Sequence, residues 1–217
     1  NIAFTECAPQ PSIRCRAPYA IGKCPSMNFC SHCGASLTQR IPAGDDRLRF
    51  VCDQCQTIHY QNPRMVVGTI PEWKDRILLC RRAIEPRAGL WTLPAGYLEN
   101  GETMIDGARR ETREEAGAKL EALAPFALLD LPFINQIYLM FRGALATTAY
   151  HPGEESLEVQ LFSEADIPWD DLAFVVVRKT LEHYFSDRVE GRFRFHTGTI
   201  VPPTEKIHHN RNGKESP

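Results

Sequence analysis

The sequence has no apolar run long enough to cross a bilayer as a helix, which excludes a helical membrane span. It has no basic surplus either: 25 Lys and Arg stand against 27 Asp and Glu, for a net charge of −2. General nucleic-acid-binding domains carry an excess of positive charge, so neither a nucleic acid nor a membrane is expected as a partner. No internal repeat is present, which excludes solenoid and propeller arrays. A disulfide framework is missing as well. Of the eight cysteines, Cys30, Cys33, Cys52 and Cys55 form two C-x-x-C pairs, a metal-site pattern that favours a reducing compartment. What is present is ordinary for a globular chain: 217 residues, 43% hydrophobic and 24% charged, enough for one domain or for one domain with a small appendage.

Residues 1–26 carry four prolines and no helical or strand periodicity, and read as a weakly structured leader. Their one acid, Glu6, stands against Arg14, Arg16 and Lys23, the acid-poor composition of a transit peptide. The preferred reading is an upstream extension of the frame ahead of Met27. Cys7, Cys15 and Cys24 have no metal spacing and stay unassigned. The segment 27–60 then carries both knuckles, Cys30-Ser31-His32-Cys33-Gly34 and Cys52-Asp53-Gln54-Cys55, separated by a polar loop. Two knuckles at this spacing point to a zinc ribbon, and four thiolates close a tetrahedral shell, so the Zn²⁺ is structural. His32 and His59 are expected at the surface or in packing.

Strands are expected at Met65–Ile70, Ile77–Cys80, Leu120–Leu131, Ile134–Ala146, Glu158–Phe162 and Arg192–Ile200, with a turn at Glu72–Asp75. Cys80 belongs to an apolar run and reads as core, and Trp91 as packing. Phe174–Phe185 has helical spacing, and the tail 201–217 reads as disordered. The strongest helix is Thr103–Ala116, rich in Ala, Glu and Arg and stopped by Gly117. At about 100° per residue, Glu111, Glu114 and Glu115 share one face. Ile105, Ala108, Thr112 and Ala116 share an adjacent face suited to pack on a sheet. Carboxylates so crowded repel one another and destabilise a helix unless a positive charge lies between them. A hard divalent cation, which prefers oxygen ligands, is the simplest such charge.

The stretch Gly96-x5-Glu102-x7-Arg110-Glu111-Thr112-x-Glu114-Glu115-x-Gly117-Ala118 resembles the Nudix box throughout its spacing, with Thr112 where an aliphatic residue is usual. The resemblance to Nudix hydrolases implies an α/β/α sandwich with a mixed sheet, here preceded by the ribbon, the hydrolase domain taking residues 61–200. It implies Mg²⁺- or Mn²⁺-dependent cleavage of a nucleoside diphosphate linked to another group. Glu111, Glu114 and Glu115 are then the metal ligands, with the Gly96 carbonyl adding a bond. Arg110 and Glu102 pair to hold loop and helix in register. A further carboxylate, metal ligand or general base, comes from a later loop; Glu155 leads the candidates there, ahead of Glu154 and Glu158, against an ordinary exposed acid.

A ribbon before such a domain is similar to bacterial NADH pyrophosphatases. Their SQPWPFP-type segment has no match in Leu129–Gln136, however. From about Cys30 to Ile200 the chain is closer to plant chloroplast FAD pyrophosphatases and their bacterial relatives. The shared stretches are Tyr60–Pro63, Leu90–Glu99 and Phe195–Ile200. That likeness implies cleavage of FAD to FMN and AMP, or of ADP-ribose to AMP and ribose 5-phosphate, with NADH as the alternative substrate. Phe133, Tyr138 and Phe141 are candidates to stack on a substrate ring, with core packing as the rival for at least two of them. The location implied is the cytoplasm of a bacterium, or a plastid if the leader is a transit peptide. Homodimers are common in the family, and the likeness admits one here. The competing class is a ribbon module that binds nucleotide or nucleic acid without catalysis; an intact box, and a ribbon whose basic residues are Arg40, Arg47 and Arg49, weigh against it.

Overall fold

The computed structural model describes residues 27–201; the leader 1–26 and the tail from Pro202 lie outside the described residues. The chain divides into two compact units, one ending at Gln61 and the other beginning at Asn62.

The first unit is a three-stranded antiparallel sheet of β1 (Leu37–Arg40), β2 (Arg49–Cys52) and β3 (Ile58–His59). Among the described residues of this unit, the buried apolar ones are Cys30, Val51 and Cys52. So small a core does not hold a fold by itself, and the cysteines must supply the rest.

The second unit is built on a mixed sheet. In chain order it has β4 (Arg64–Trp73), β5 (Arg76–Arg82), β6 (Trp91–Thr92), β7 (Ala95–Tyr97), α1 (Met104–Ala116), β8 (Leu120–Leu131), β9 (Gln136–Leu145), β10 (Ser156–Phe162), α2 (Val175–Glu190) and β11 (His196–Thr199). Six strands run in the order β10-β5-β4-β9-β8-β11, with β6 beside β5 and β7 beside β4. The pairs β4–β9 and β8–β11 are parallel and the others antiparallel.

Alternation along the strands sends side chains to two faces. Val67, Leu139 and Phe141 pack with Ala108 of α1 on one face. Ile70, Met140 and Phe126 pack with Val176, Leu181 and Tyr184 of α2 on the other. The result is the expected α/β/α sandwich.

Several local expectations change. The strands β4 and β5 outrun their apolar cores, because β4 is held along its length by β9. Glu72 and Trp73 are consequently strand residues, and the chain turns at Lys74, whose φ is 57°. Ile134 belongs to a 3₁₀ turn, Pro132–Ile134, ahead of β9. Helix α2 runs on to Glu190, and the last strand shrinks to His196–Thr199. Cys80 is buried as expected, and burial raises its thiol well above the usual range.

Candidate active site

Helix α1 opens with a side-chain cap. The Thr103 hydroxyl accepts the Asp106 N–H at 3.1 Å and donates to the Asp106 carboxylate at 2.6 Å. It closes on Gly117 in the left-handed region (φ 59°), whose N–H bonds the Arg113 carbonyl. The residues that face the sheet are Gly107, Ala108, Thr112, Glu115 and Ala116. Ile105, expected on that face, is 40% exposed instead. Glu115 takes up part of the buried stripe, so one of the three carboxylates faces the protein rather than solvent.

That inward turn sets the electrostatics. Glu115 accepts the Ala95 N–H at 3.1 Å, and burial pushes its pKa up to about 8 despite that bond. The charges of Glu111 and Glu155 push the same way, while Arg82 opposes them. Glu111 is raised by burial too, against the pull of Arg110. A Cβ added to Gly96 would fall on the Glu111 carboxylate, so glycine here is what lets the helix side chain lie against the β7 backbone. The carboxylate oxygens on this loop–helix hinge, two of them on acids reluctant to ionise alone, are of the hard type that a divalent cation prefers, although Arg110 bridges Glu111 and Glu114 in this structure.

Arg110 does more than the sequence implies. Its guanidinium grips Glu102 with two bonds (2.7 and 3.1 Å), and it also donates to Glu111 at 2.7 Å, Glu114 at 3.0 Å and the Tyr97 carbonyl at 3.1 Å. Glu102, gripped by Arg110 and by the Glu99 N–H at 2.7 Å, is lowered to about 2. Arg110 thus supplies part of the positive charge that the crowded carboxylates require, and one residue ties loop, strand end and helix together.

The remaining candidates separate. Glu155 immediately precedes β10, close enough for its charge to raise both Glu111 and Glu115. Tyr138 lines a cavity on the α2 face with Thr92, Ala95, Met140, Phe174 and Val177, and burial pushes its phenol up to about 12. Ala95 also donates to Glu115, so the cavity adjoins the carboxylates. Phe141, one residue past Met140, points to the other face and is buried beneath α1; it is core and has no ring face to offer a ligand. Phe133 is 40% exposed on the turn before β9 and does not line the cavity.

Two residues beside the site escape sequence reasoning. Phe174 stands at the start of α2, with no motif around it. Arg82 ends β5; its guanidinium lies 5.1 Å from the Phe174 ring centroid and donates to the Pro86 carbonyl at 3.0 Å. The Arg81-Arg82 doublet at the end of an apolar strand was the signal available for it.

In the first unit the sulfurs of Cys30, Cys33, Cys52 and Cys55 all lie within 4.8 Å of one another. The Cys30–Cys55 and Cys33–Cys52 separations are 3.6 and 3.4 Å, far beyond a disulfide and near the ~3.8 Å edge of a tetrahedron with ~2.3 Å Zn–S bonds. The donor set therefore fits zinc. Backbone N–H groups of His32 and Cys55 point at Cys30 and Cys52 sulfurs at 3.4 Å. The Thr57 hydroxyl, 3.1 Å away, helps lower Cys55 to about 6. His59 departs from the expected surface or packing role: its Nε2 sits 3.3 Å from the Cys30 sulfur. Arg40, Arg47 and Arg49 are each paired with an aspartate of the same unit, which leaves no unpaired basic cluster among these three.

The mixed sheet between two helices, carrying a carboxylate-rich loop–helix hinge, defines the class: an α/β/α sandwich with an appended thiolate ribbon. Comparison with known proteins specifies it further. A family model described as NUDIX domain matches residues 62–191, and one described as Nudix N-terminal, a zinc ribbon, matches residues 28–61. The chain belongs to the Nudix hydrolase family.

A crystal structure of a NUDIX hydrolase from Nitrosomonas europaea is 51% identical, with a TM-score of 0.78, covering 80% of this chain and 99% of that one. The NAD-capped RNA hydrolase NudC of Photobacterium profundum is 28% identical over 163 residues, covering 72% of this chain and 59% of the relative. The human mitochondrial NAD(P)H pyrophosphatase NUDT13 is 28% identical over 184 residues, covering 83% and 48%. The chain thus spans about half to three fifths of the length of these curated relatives. Among the described residues no helix is long and apolar enough to cross a membrane.

Proposed function

We propose that the chain is a divalent-metal-dependent pyrophosphohydrolase of dinucleotide-type substrates in which one of the two halves joined through the diphosphate is AMP. The observation that carries the reading is the trio Glu111, Glu114 and Glu115: Glu111 lies against Gly96, Arg110 bonds both Glu111 and Glu114, and Glu115 accepts the Ala95 N–H. Glu111, Glu114, Glu115 and the Gly96 carbonyl are the residues that would hold Mg²⁺ or Mn²⁺. A metal there neutralises diphosphate charge and acidifies a bound water. Arg110 and Glu102 keep the hinge in register, and Glu155 serves as further ligand or as general base. Tyr138 and Phe133 remain the candidates to contact a substrate ring, although the cavity at Tyr138, about 30 Å³, holds no more than a water or two as it stands. Residues 27–60 act as a structural zinc ribbon and 61–200 as the hydrolase domain, active alone or as a homodimer.

FAD and ADP-ribose are the substrates favoured by the stretches Leu90–Glu99 and Phe195–Ile200. A second reading, NAD(H) or an NAD-capped RNA end, is supported by the names of the curated relatives, and it keeps a nucleic-acid substrate open. All of these share an AMP half released by the same cleavage. Incubation of the chain with FAD, ADP-ribose, NADH and NAD-capped RNA, each with Mg²⁺ or Mn²⁺, is expected to release AMP, or AMP-ended RNA, from at least one. Glu114→Gln and Glu115→Gln are expected to lower turnover by ~10²-fold or more. Full turnover by Glu114→Gln would overturn the metal assignment, and metal-independent turnover the mechanism.

A further inference from the structure

The last carbonyls of a helix lack intrahelical partners and must be satisfied from elsewhere. In α1 they are met by a loop distant in sequence. The His151 N–H bonds the Ala116 carbonyl at 2.9 Å, and the Gly153 N–H bonds the Glu115 carbonyl at 3.0 Å. The fit is close on both sides. A Cβ on Gly153 would collide with the Glu114 carbonyl oxygen, and the His151 imidazole lies over Gly117 so closely that a Cβ there would be 2.5 Å from the ring.

From Gly153 the chain turns at once, its carbonyl accepting the Ser156 N–H at 3.1 Å. Two residues on from Gly153, the Glu155 carbonyl accepts the Ala83 N–H at 2.8 Å. The backbone that carries Glu155 is therefore pinned to the end of the helix that carries Glu111, Glu114 and Glu115, and to the chain just beyond β5.

We infer that residues 151–155 form a strap that uses the C-terminal carbonyls of the carboxylate helix to position Glu155 over the metal-binding trio, and that Gly153 is the positioning residue on which the strap seats. This rests on the reading of Glu155 given above. It adds that helix and loop are one mechanical piece, so that any shift of the helix end carries the fourth carboxylate with it. A side chain at position 153 would meet the backbone of Glu114 and lift the strap off the helix, leaving the three carboxylate side chains chemically unaltered.

The test is a double-mutant cycle with Gly153→Ala and Glu155→Gln, read by steady-state kinetics on the best substrate of the panel, with Mn²⁺ titrations alongside. Gly153→Ala is expected to lower kcat by ~10- to 100-fold, the scale of an ångström-sized misplacement, with KM changed less than about twofold. In the Glu155→Gln background the same substitution is expected to have little further effect, since the residue it positions is already disabled. Additive losses would show that Gly153 acts by another route and overturn the strap. Wild-type kcat in Gly153→Ala, with Glu155→Gln impaired, would overturn it also. Wild-type kcat in Glu155→Gln would instead remove the role of Glu155, and the strap's purpose with it. Should Gly153→Ala not fold, amide exchange in the unmodified chain decides. The His151 and Gly153 amides are expected to exchange as slowly as those of the last turn of α1; exchange at the rate of open loop amides would overturn the proposal.

Discussion

At Thr112 the helix carries a hydroxyl where related boxes usually place an aliphatic side chain, and the sequence offers no reason beyond size. The reason lies across the interface. Thr112 is fully buried, donates to the Ala108 carbonyl at 2.8 Å, and shares a 2.7 Å hydrogen bond with the buried Thr69 hydroxyl of β4. The two threonines are a matched pair joining helix to sheet. Thr112→Val keeps the shape but leaves Thr69 without its partner. It is expected to cost about 1–3 kcal/mol, the penalty of a buried unsatisfied hydroxyl. The double variant Thr69→Val/Thr112→Val is expected to recover most of that loss, because both polar groups are then gone. Urea denaturation of the four proteins measures the coupling, and additive costs would refute the pairing.

Residue identity was also a poor guide for the aromatic candidates. Tyr138 and Phe141 lie three apart on β9, an odd spacing, so the pleat sends them to opposite faces. Tyr138 reaches the cavity beside the carboxylates; Phe141 goes beneath α1.

Among the elements, α1 combines docking and chemistry in thirteen residues. Its buried stripe includes an acid, and this couples stability to pH. Glu115 is raised from 4.5 to about 8 in the folded, metal-free protein. Between those values the folded state holds a proton that the unfolded state has lost. Stability contributed by this group is therefore greatest below about 4.5 and declines as pH rises towards 8, by at most about 1.4 kcal/mol per pH unit. A divalent cation binds the ionised form and reverses the trend. The expected result is that Mg²⁺ or Mn²⁺ raises Tm more at pH 8.5 than at pH 6. Glu115→Gln is expected to flatten the metal-free decline. Equal metal effects at both pH values would contradict the burial-driven shift.

The helix and its carboxylates were legible because they depend on local geometry, the 3.6-residue period and a terminal glycine. The extents of the strands were less so. Glu72 and Trp73 extend β4 because β9 and β5 offer them partners, and no property of those two residues announces it.

For the whole molecule, the two units depend on different forces. The second is held by apolar layers on both sheet faces. Among its described residues the first buries little beyond Cys30, Val51 and Cys52, so metal–thiolate bonds are the expected source of its folding free energy. Removal of zinc is expected to unfold residues 28–61, seen as loss of amide-exchange protection across β1, β2 and β3. Retained protection at zero zinc content would show that the ribbon folds without its metal.

The sequence by itself determined the chemistry available: four thiolates in two knuckles, three glutamates on one turn of helix, and a paired arginine and glutamate at the hinge. Each is a spacing within one local piece of backbone, whose geometry is the same in any fold. Tertiary structure alone decided how those groups are tuned. It buried Glu115 and raised its pKa, set Thr69 against Thr112, brought Arg82 and Glu155 to the trio, and withdrew Phe141 into the core. These outcomes depend on strand register and on contacts between residues far apart in the chain, and neither leaves a local mark.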